Sequence, residues 1–270
     1  VTGSLREPLD IRRRAGALRL TLNRPAARNG IDASLVAAID AALDVAQSDT
    51  GVAAVVIAAA GRTFCAGADL KLIAGLAAMP PQQAAAGLLE FLTAVGRLFD
   101  RIESFGKPVI AAVDGLAVAG GLELVLACDI VIATEAARFG DAHANYGLLP
   151  GGGGSARLPR RVGPATAKYL MFTGRDLPAG DLACTDLITV LVGADADLKS
   201  VVDACVSDIA AKSPRGIQVM KQLVRSGLEH EPSAARAGEL DALAQHALSE
   251  DFTEGLRAFS EKRRPVFTGR

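Results

Sequence analysis

Residues 18–22 (LRLTL) alternate apolar and polar with a period of two, which predicts a strand, and the alternation stops at Asn23-Arg24-Pro25, where proline removes a ladder donor. From Asp32 the period lengthens. Leu35, Ile39, Leu43 and Ala46 recur at helical spacing, with Asp32 or Ser34 available as cap and Thr50-Gly51 as stop. Residues 52–58 and 108–113 are unbroken apolar runs of strand length, each leading into a glycine-containing turn, and residues 82–105 between them predict a long amphipathic helix. Residues 129–133 predict another short strand, and residues 139–157 read as a loop containing a glycine run at 151–154. After Gly163 helical periodicity dominates, in residues 165–172, 198–212, 214–228, 234–248 and 251–263.

Strand, glycine turn and helix thus recur, the pattern of an α/β domain whose turns gather at one edge of a sheet. The expected organisation is an α/β core over residues 1–195 and a helical C-terminal region over 196–270. With half of 270 residues hydrophobic, the chain has ample material for a core. Its 29 basic and 30 acidic side chains leave no net field to attract nucleic acid or an anionic membrane, and neither is expected as a partner. The short clusters Arg12, Arg13, Arg14, then Arg160, Arg161, then Lys262, Arg263, Arg264 read as solvated faces. Cys65, Cys128, Cys184 and Cys205 are widely separated, form no CxxC pair and lie in apolar segments, which predicts buried free thiols in a reducing cytosol. No apolar stretch has membrane-spanning length, and VTGSLREPLDIRRR lacks the apolar core of a signal peptide, so a cytoplasmic location is expected.

The candidate chemistry lies at the two glycine turns, Gly61-Arg62-Thr63-Phe64-Cys65-Ala66-Gly67-Ala68-Asp69-Leu70-Lys71 and Asp114-Gly115-Leu116-Ala117-Val118-Ala119-Gly120-Gly121-Leu122-Glu123. Backbone N–H groups at such strand-to-helix turns lack partners and can bind an anion or a developing oxyanion. A thioester carbonyl held by one N–H from each turn would be polarised toward an enolate, and one such donor is worth about 3 to 4 kcal/mol of barrier in hydrolases. Neither turn has the GxxxxGK[ST] spacing of a phosphate loop, and the second fails the GxGxxG spacing of a dinucleotide site. A purely structural turn is the competing reading of Gly120-Gly121. Glu123 follows by three residues, inside the apolar run around Leu122, Leu124, Val125 and Leu126. A carboxylate there either faces a cleft, where it can move protons, or serves the helix dipole.

These residues carry a family resemblance. Phe64 through Lys71 resembles the first oxyanion motif of the enoyl-CoA hydratase/isomerase (crotonase) family, and Asp114-Gly115 through Glu123-Leu124, with Cys128-Asp129-Ile130, resembles the second. Leu22-Asn23-Arg24-Pro25, Phe139-Gly140, Gly147-Leu148-Leu149-Pro150-Gly151 and Phe259-Ser260-Glu261-Lys262-Arg263-Arg264-Pro265 match further family blocks in order. The resemblance implies an α/β fold, a crotonase spiral of ββα units with a C-terminal helical trimerisation region, assembled as a homotrimer or a dimer of trimers. It implies acyl-CoA thioester substrates, no metal, and no cofactor beyond the coenzyme A of the substrate. Ala68 and Gly120 would supply the oxyanion N–H groups, Ala68, Asp69, Leu70 and Lys71 would line the CoA channel, and Phe259 and Lys262 would reach a neighbouring subunit's CoA. Glu123 matches the first of the two hydratase glutamates.

Where hydratases carry the second glutamate, the block Phe139-Gly140-Asp141-Ala142-His143 places His143. Histidine exchanges protons at neutral pH, so His143 is either the second catalytic group or a hydrogen-bonded loop residue, with Asp141 as an alternative acid. Three readings follow: hydration of a 2-enoyl-CoA or its reverse, double-bond isomerisation by Glu123 alone, and acyl-CoA binding without turnover. The glycine run at 151–154 reads as packing under the site or as a phosphate cradle. Arg28, Arg62 and Arg157 read as CoA-phosphate contacts or as solvated side chains.

Overall fold

The computed structural model of the chain describes residues 7–270. It opens with an antiparallel hairpin, β1 (Leu9–Arg14) and β2 (Ala17–Leu22), closed at Ala15 and Gly16, both at positive φ. Helix α1 (Ala33–Ser48) follows, capped by Asp32, whose carboxylate accepts the Leu35 N–H at 2.9 Å. Its buried face contains Leu35, Ile39, Leu43 and Ala46, the positions that the periodicity picks out.

A strand–strand–helix unit then recurs. β3 (Ala54–Ala59) and β4 (Thr63–Cys65) lead into α2 (Leu70–Ala77) and the long α3 (Pro81–Ser104). β5 (Val109–Val113) and β6 (Leu116–Val118) lead into α4 (Gly120–Leu126). β7 (Ile130–Thr134) and β8 (Arg138–Gly140) lead through a 3-10 turn, His143–Tyr146, to α5 (Gly154–Val162). The chain continues with α6 (Pro164–Thr173), β9 (Asp176–Pro178), α7 (Ala179–Leu182), β10 (Val190–Val192) and α8 (Leu198–Ala210). Helices α9 (Pro214–Gly227), α10 (Pro232–His246) and α11 (Glu250–Ser260) complete it.

The first strand of each unit joins a six-stranded sheet ordered β1-β2-β3-β5-β7-β10, parallel from β2 onward, and the second joins a four-stranded sheet ordered β4-β6-β8-β9. Each unit therefore turns once between two sheets. β5 is buried at all five positions, as expected of a parallel strand covered on both faces. Val109, Ala111 and Val113 pack into the main core with α1 and α3, while Ile110 and Ala112 pack on the far face with Val202 and Val206 of α8.

Several elements depart from the sequence expectations. Arg12, Arg13 and Arg14 are solvated as read, but they lie on a strand the pattern did not predict, the edge strand β1, where exposed charges suit a sheet edge. The segment read as a loop, 139–157, holds the end of β8, the 3-10 turn and the start of α5. Helix α8, expected in the C-terminal helical region, packs on the sheet, whereas α9 and α10 carry no buried residue. The four cysteines are free, but only Cys65 and Cys128 are buried, and burial pushes both thiols up to about 12; Cys184 is exposed and Cys205 half-buried. Among the described residues no helix is long and apolar enough to cross a membrane. Residues 1–6 of the stretch read for a leader lie outside the described residues.

Candidate active site

The two glycine turns abut. A Cβ on Gly67 would lie 2.9 Å from the Ala119 Cβ and 3.1 Å from the Gly120 nitrogen, and one on Gly121 would collide with the Cys65 carbonyl oxygen. Only residues without side chains allow this approach. Ile31 runs parallel to the first turn, its N–H donating to the Gly67 carbonyl at 2.8 Å and its carbonyl accepting the Asp69 N–H at 2.8 Å. Because successive N–H groups of an extended segment point to opposite sides, this pairing turns the Ala68 N–H away from Ile31. Gly120 opens α4, where first-turn N–H groups have no intrahelical partner. Ala119 before it holds φ 51° and ψ −126°, a strained conformation for a residue with a Cβ. Among the described residues neither the Ala68 nor the Gly120 N–H donates a hydrogen bond. The two groups assigned from sequence to an oxyanion thus lie free on touching turns.

Glu123 is 4% exposed, and its carboxylate serves another helix than its own. Oε1 accepts the Gly152 and Gly154 N–H groups at 2.8 Å each, at the N-terminus of α5. The glycine run is shaped by this contact. A Cβ on Gly152 would lie 2.9 Å from Glu123 Oε2 and 2.7 Å from the Phe99 ring, and one on Gly154 would lie 3.0 Å from Oε1. The phosphate-cradle reading fails, because these amides already hold a carboxylate. Burial pushes the Glu123 carboxyl above the usual carboxylate range, against the Gly154 and Gly152 amides and His143, which favour the charged form.

His143 sits at the start of the 3-10 turn with its side chain 12% exposed. Its Nδ1 lies 3.0 Å from Oδ1 of the buried Asp141, which also accepts the His143 backbone N–H at 3.3 Å. Burial by itself would lower the imidazole pKa. The Asp141 hydrogen bond and the charges of Asp141 and Glu123 outweigh it and raise His143 above its usual value. A carboxylate can only accept, so Nδ1 carries a proton and Nε2 remains for exchange.

A brace that sequence reasoning missed supports the first turn. Asp69 Oδ1 caps α2 through the Lys71 N–H at 2.8 Å, and Oδ2 pairs with Arg24 at 2.7 Å. Arg24 also pairs with Asp32 at 2.5 Å and donates to the Gly30 carbonyl at 3.0 Å. Fully buried Asn29 ties this loop to the Ala60 and Thr63 carbonyls at 3.0 and 2.8 Å. The Asp69 carboxylate is therefore committed to holding the turn. Lys71, Phe259 and Lys262 are exposed, the latter two at the end of α11, and the Leu70 side chain lies outside the described part of the structure. Arg28 and Arg62 are exposed as well. Arg157 is neither solvated nor free for CoA: its guanidinium is buried against Gly152, Glu103 and Asp100. Its partners lie five to 57 residues away, beyond the reach of local pattern.

Two free amides on abutting turns, a buried carboxylate on the helix that one of them opens, and a carboxylate-backed imidazole in that carboxylate's field can together stabilise an oxyanion while a proton moves. The chain belongs to the enoyl-CoA hydratase/isomerase family, whose sequence pattern matches residues 12–270. It is similar to the 2,3-dehydroadipyl-CoA hydratase of Escherichia coli, 37% identical over 97% of this chain and 99% of that protein. A probable enoyl-CoA hydratase of Bacillus subtilis is 36% identical over 93% of this chain and 94% of its own length. Among solved structures, an enoyl-CoA hydratase from Bacillus anthracis superposes with TM-score 0.89 at 29% identity, covering 97% of this chain and 100% of that one. One from Mycobacterium smegmatis gives 0.87 at 34% identity, over 96% and 98%. The chain is thus a crotonase-fold enzyme with enoyl-CoA hydratase/isomerase activity.

Proposed function

We propose that the enzyme hydrates a 2-enoyl-CoA to the 3-hydroxyacyl-CoA, and catalyses the reverse. The Ala68 and Gly120 N–H groups bind the thioester oxygen and stabilise the enolate. Glu123, charged, orients a water and takes its proton as the oxygen attacks C3. His143 Nε2 delivers a proton to C2, and Asp141 stabilises the imidazolium that does so. The observation that carries this reading is the Asp141–His143 pair: His143 stands in for the second hydratase glutamate with a buried carboxylate behind it and Glu123 in its field. The chemistry needs no metal and no cofactor beyond the substrate's own coenzyme A.

The substrate class is a 2-enoyl-CoA, and the similarity to a 2,3-dehydroadipyl-CoA hydratase makes an acyl chain ending in a carboxylate worth including among those tested. We further propose that the enzyme is a homotrimer or a dimer of trimers, built on the exposed apolar side chains of α9–α11, and that Phe259 and Lys262 reach a neighbour's CoA there. The test is turnover of purified protein with crotonyl-CoA and with a 3-enoyl-CoA, followed by absorbance and mass. Gain of one water by the 2-enoyl substrate supports the proposal. Interconversion of the double bond without water uptake would move the assignment to an isomerase using Glu123 alone, and binding without turnover to a silent acyl-CoA-binding protein.

A further inference from the structure

Arg157 stands behind the glycine run that holds Glu123, and its bonds are made there. Its side chain is 11% exposed, and the guanidinium donates to the Gly152 carbonyl at 2.8 Å, to Glu103 Oε2 at 3.1 and 2.9 Å, and to Asp100 Oδ1 at 2.6 Å. Glu103 and Asp100 lie on α3, so the arginine ties the run to the long core helix. Gly153, at φ +97°, has no Cβ where the guanidinium lies. The carbonyl held by Arg157 thus belongs to the same residue whose N–H, together with that of Gly154, holds the Glu123 carboxylate on the other side.

We propose that Arg157 is a positioning residue for Glu123: by fixing the Gly152 carbonyl it aims the Gly152 and Gly154 amides at Oε1 and so sets the orientation and charge state of the base. The inference rests on the reading of Glu123 as the general base. A planar fork suits the role, since one guanidinium spans a carbonyl and two carboxylates, which an ammonium cannot do in the same geometry. If the amide pair loosens, the carboxylate loses hydrogen bonds that favour its charged form, so Glu123 protonates at higher pH.

The test is a double-mutant cycle of wild type, Arg157→Met, Glu123→Gln and the double variant, with Arg157→Lys alongside, measured for crotonyl-CoA hydration across pH. Arg157→Met is expected to lower kcat by about tenfold, a loss that groups coupled in one network readily show, with KM nearly unchanged. The acid limb of kcat/KM moves to higher pH. In the Glu123→Gln background the same change costs less than about twofold, because the group through which the arginine acts is gone. Arg157→Lys moves the limb in the same direction by less. Equal losses in both backgrounds would show a merely structural role and overturn the proposal, as would an unmoved acid limb. A limb that moves with methionine but stays in place with lysine would assign the effect to charge alone and also overturn it. If the methionine variant does not fold, the lysine variant completes the cycle under the same criteria. Near wild-type turnover by Glu123→Gln would instead remove the reading of Glu123 itself, an outcome distinct from additivity.

Discussion

Asp141 Oδ1 accepts both the backbone N–H of His143 and its Nδ1 proton, at 3.3 and 3.0 Å, so ring and main chain of the histidine are anchored to a single oxygen. One buried acceptor thereby fixes the tautomer and the direction of Nε2. The place where hydratases carry a second glutamate is thus filled by an imidazole backed by a carboxylate, whose hydrogen bond favours the protonated ring.

The pH dependence of hydration follows from the two raised groups. Glu123 must be charged to take a proton, so kcat/KM falls as pH drops through its elevated pKa, giving an acid limb above the usual carboxylate range. His143 must be protonated to donate, so the rate falls as pH rises through its own raised pKa, giving an alkaline limb above about 6.5. His143→Ala is expected to lose about tenfold or more together with the alkaline limb, and His143→Glu to restore part of the rate. An alanine variant with unchanged rate and profile would leave His143 a structural residue.

Glu123→Gln is expected to lower kcat by at least about a hundredfold while acyl-CoA affinity stays within a few fold, since general base catalysis contributes roughly 10² to 10⁴ and the amide keeps the shape. Calorimetric binding beside steady-state turnover measures both. Turnover near wild type would exclude the assignment.

Gly120→Pro is expected to abolish turnover. Proline is compatible with the first position of a helix, where it removes an N–H that the helix does not use. At this position that N–H is the one assigned to the enolate oxygen. The added ring meets Ile31, since even a Cβ on Gly120 would lie 3.2 Å from its Cδ1, so circular dichroism and sizing must first show a folded variant. A folded variant that retains activity would rule out Gly120 as a donor.

Met220, Val224, Leu240, Leu243, Leu248 and Phe259 stand exposed on the C-terminal helices and the connections between them, Leu248 at 89%. Side chains of this size left in water are expected to be covered by other copies of the chain. Light scattering at micromolar concentration should give a trimer or a hexamer, and an active monomer would contradict this.

What the chain carries in one dimension was legible without coordinates. The periods of α1 and α3, the unbroken runs of β3 and β5, and the glycines at 67, 120 and 121 report local constraints, because burial on one face, burial on both faces and absence of a Cβ each leave their mark at fixed spacing. β1 was hidden because its outward arginines erase the alternation on an edge that is half in water, and α5 because its first residue is a glycine chosen for Glu123 and not for helix formation. The chemistry at Glu123, Gly120 and Ala68 was reachable through motif blocks. What joins those groups was not: Glu123 meets Gly152 across 29 positions, Arg24 meets Asp69 across 45, and Arg157 meets Glu103 across 54. Such pairs form only where the sheets and α3 bring distant segments together, and for the buried carboxylates of Glu123 and Asp69 an unpartnered charge is too costly to keep. Which carboxylate is free to act and which is tied down is therefore decided by the tertiary structure.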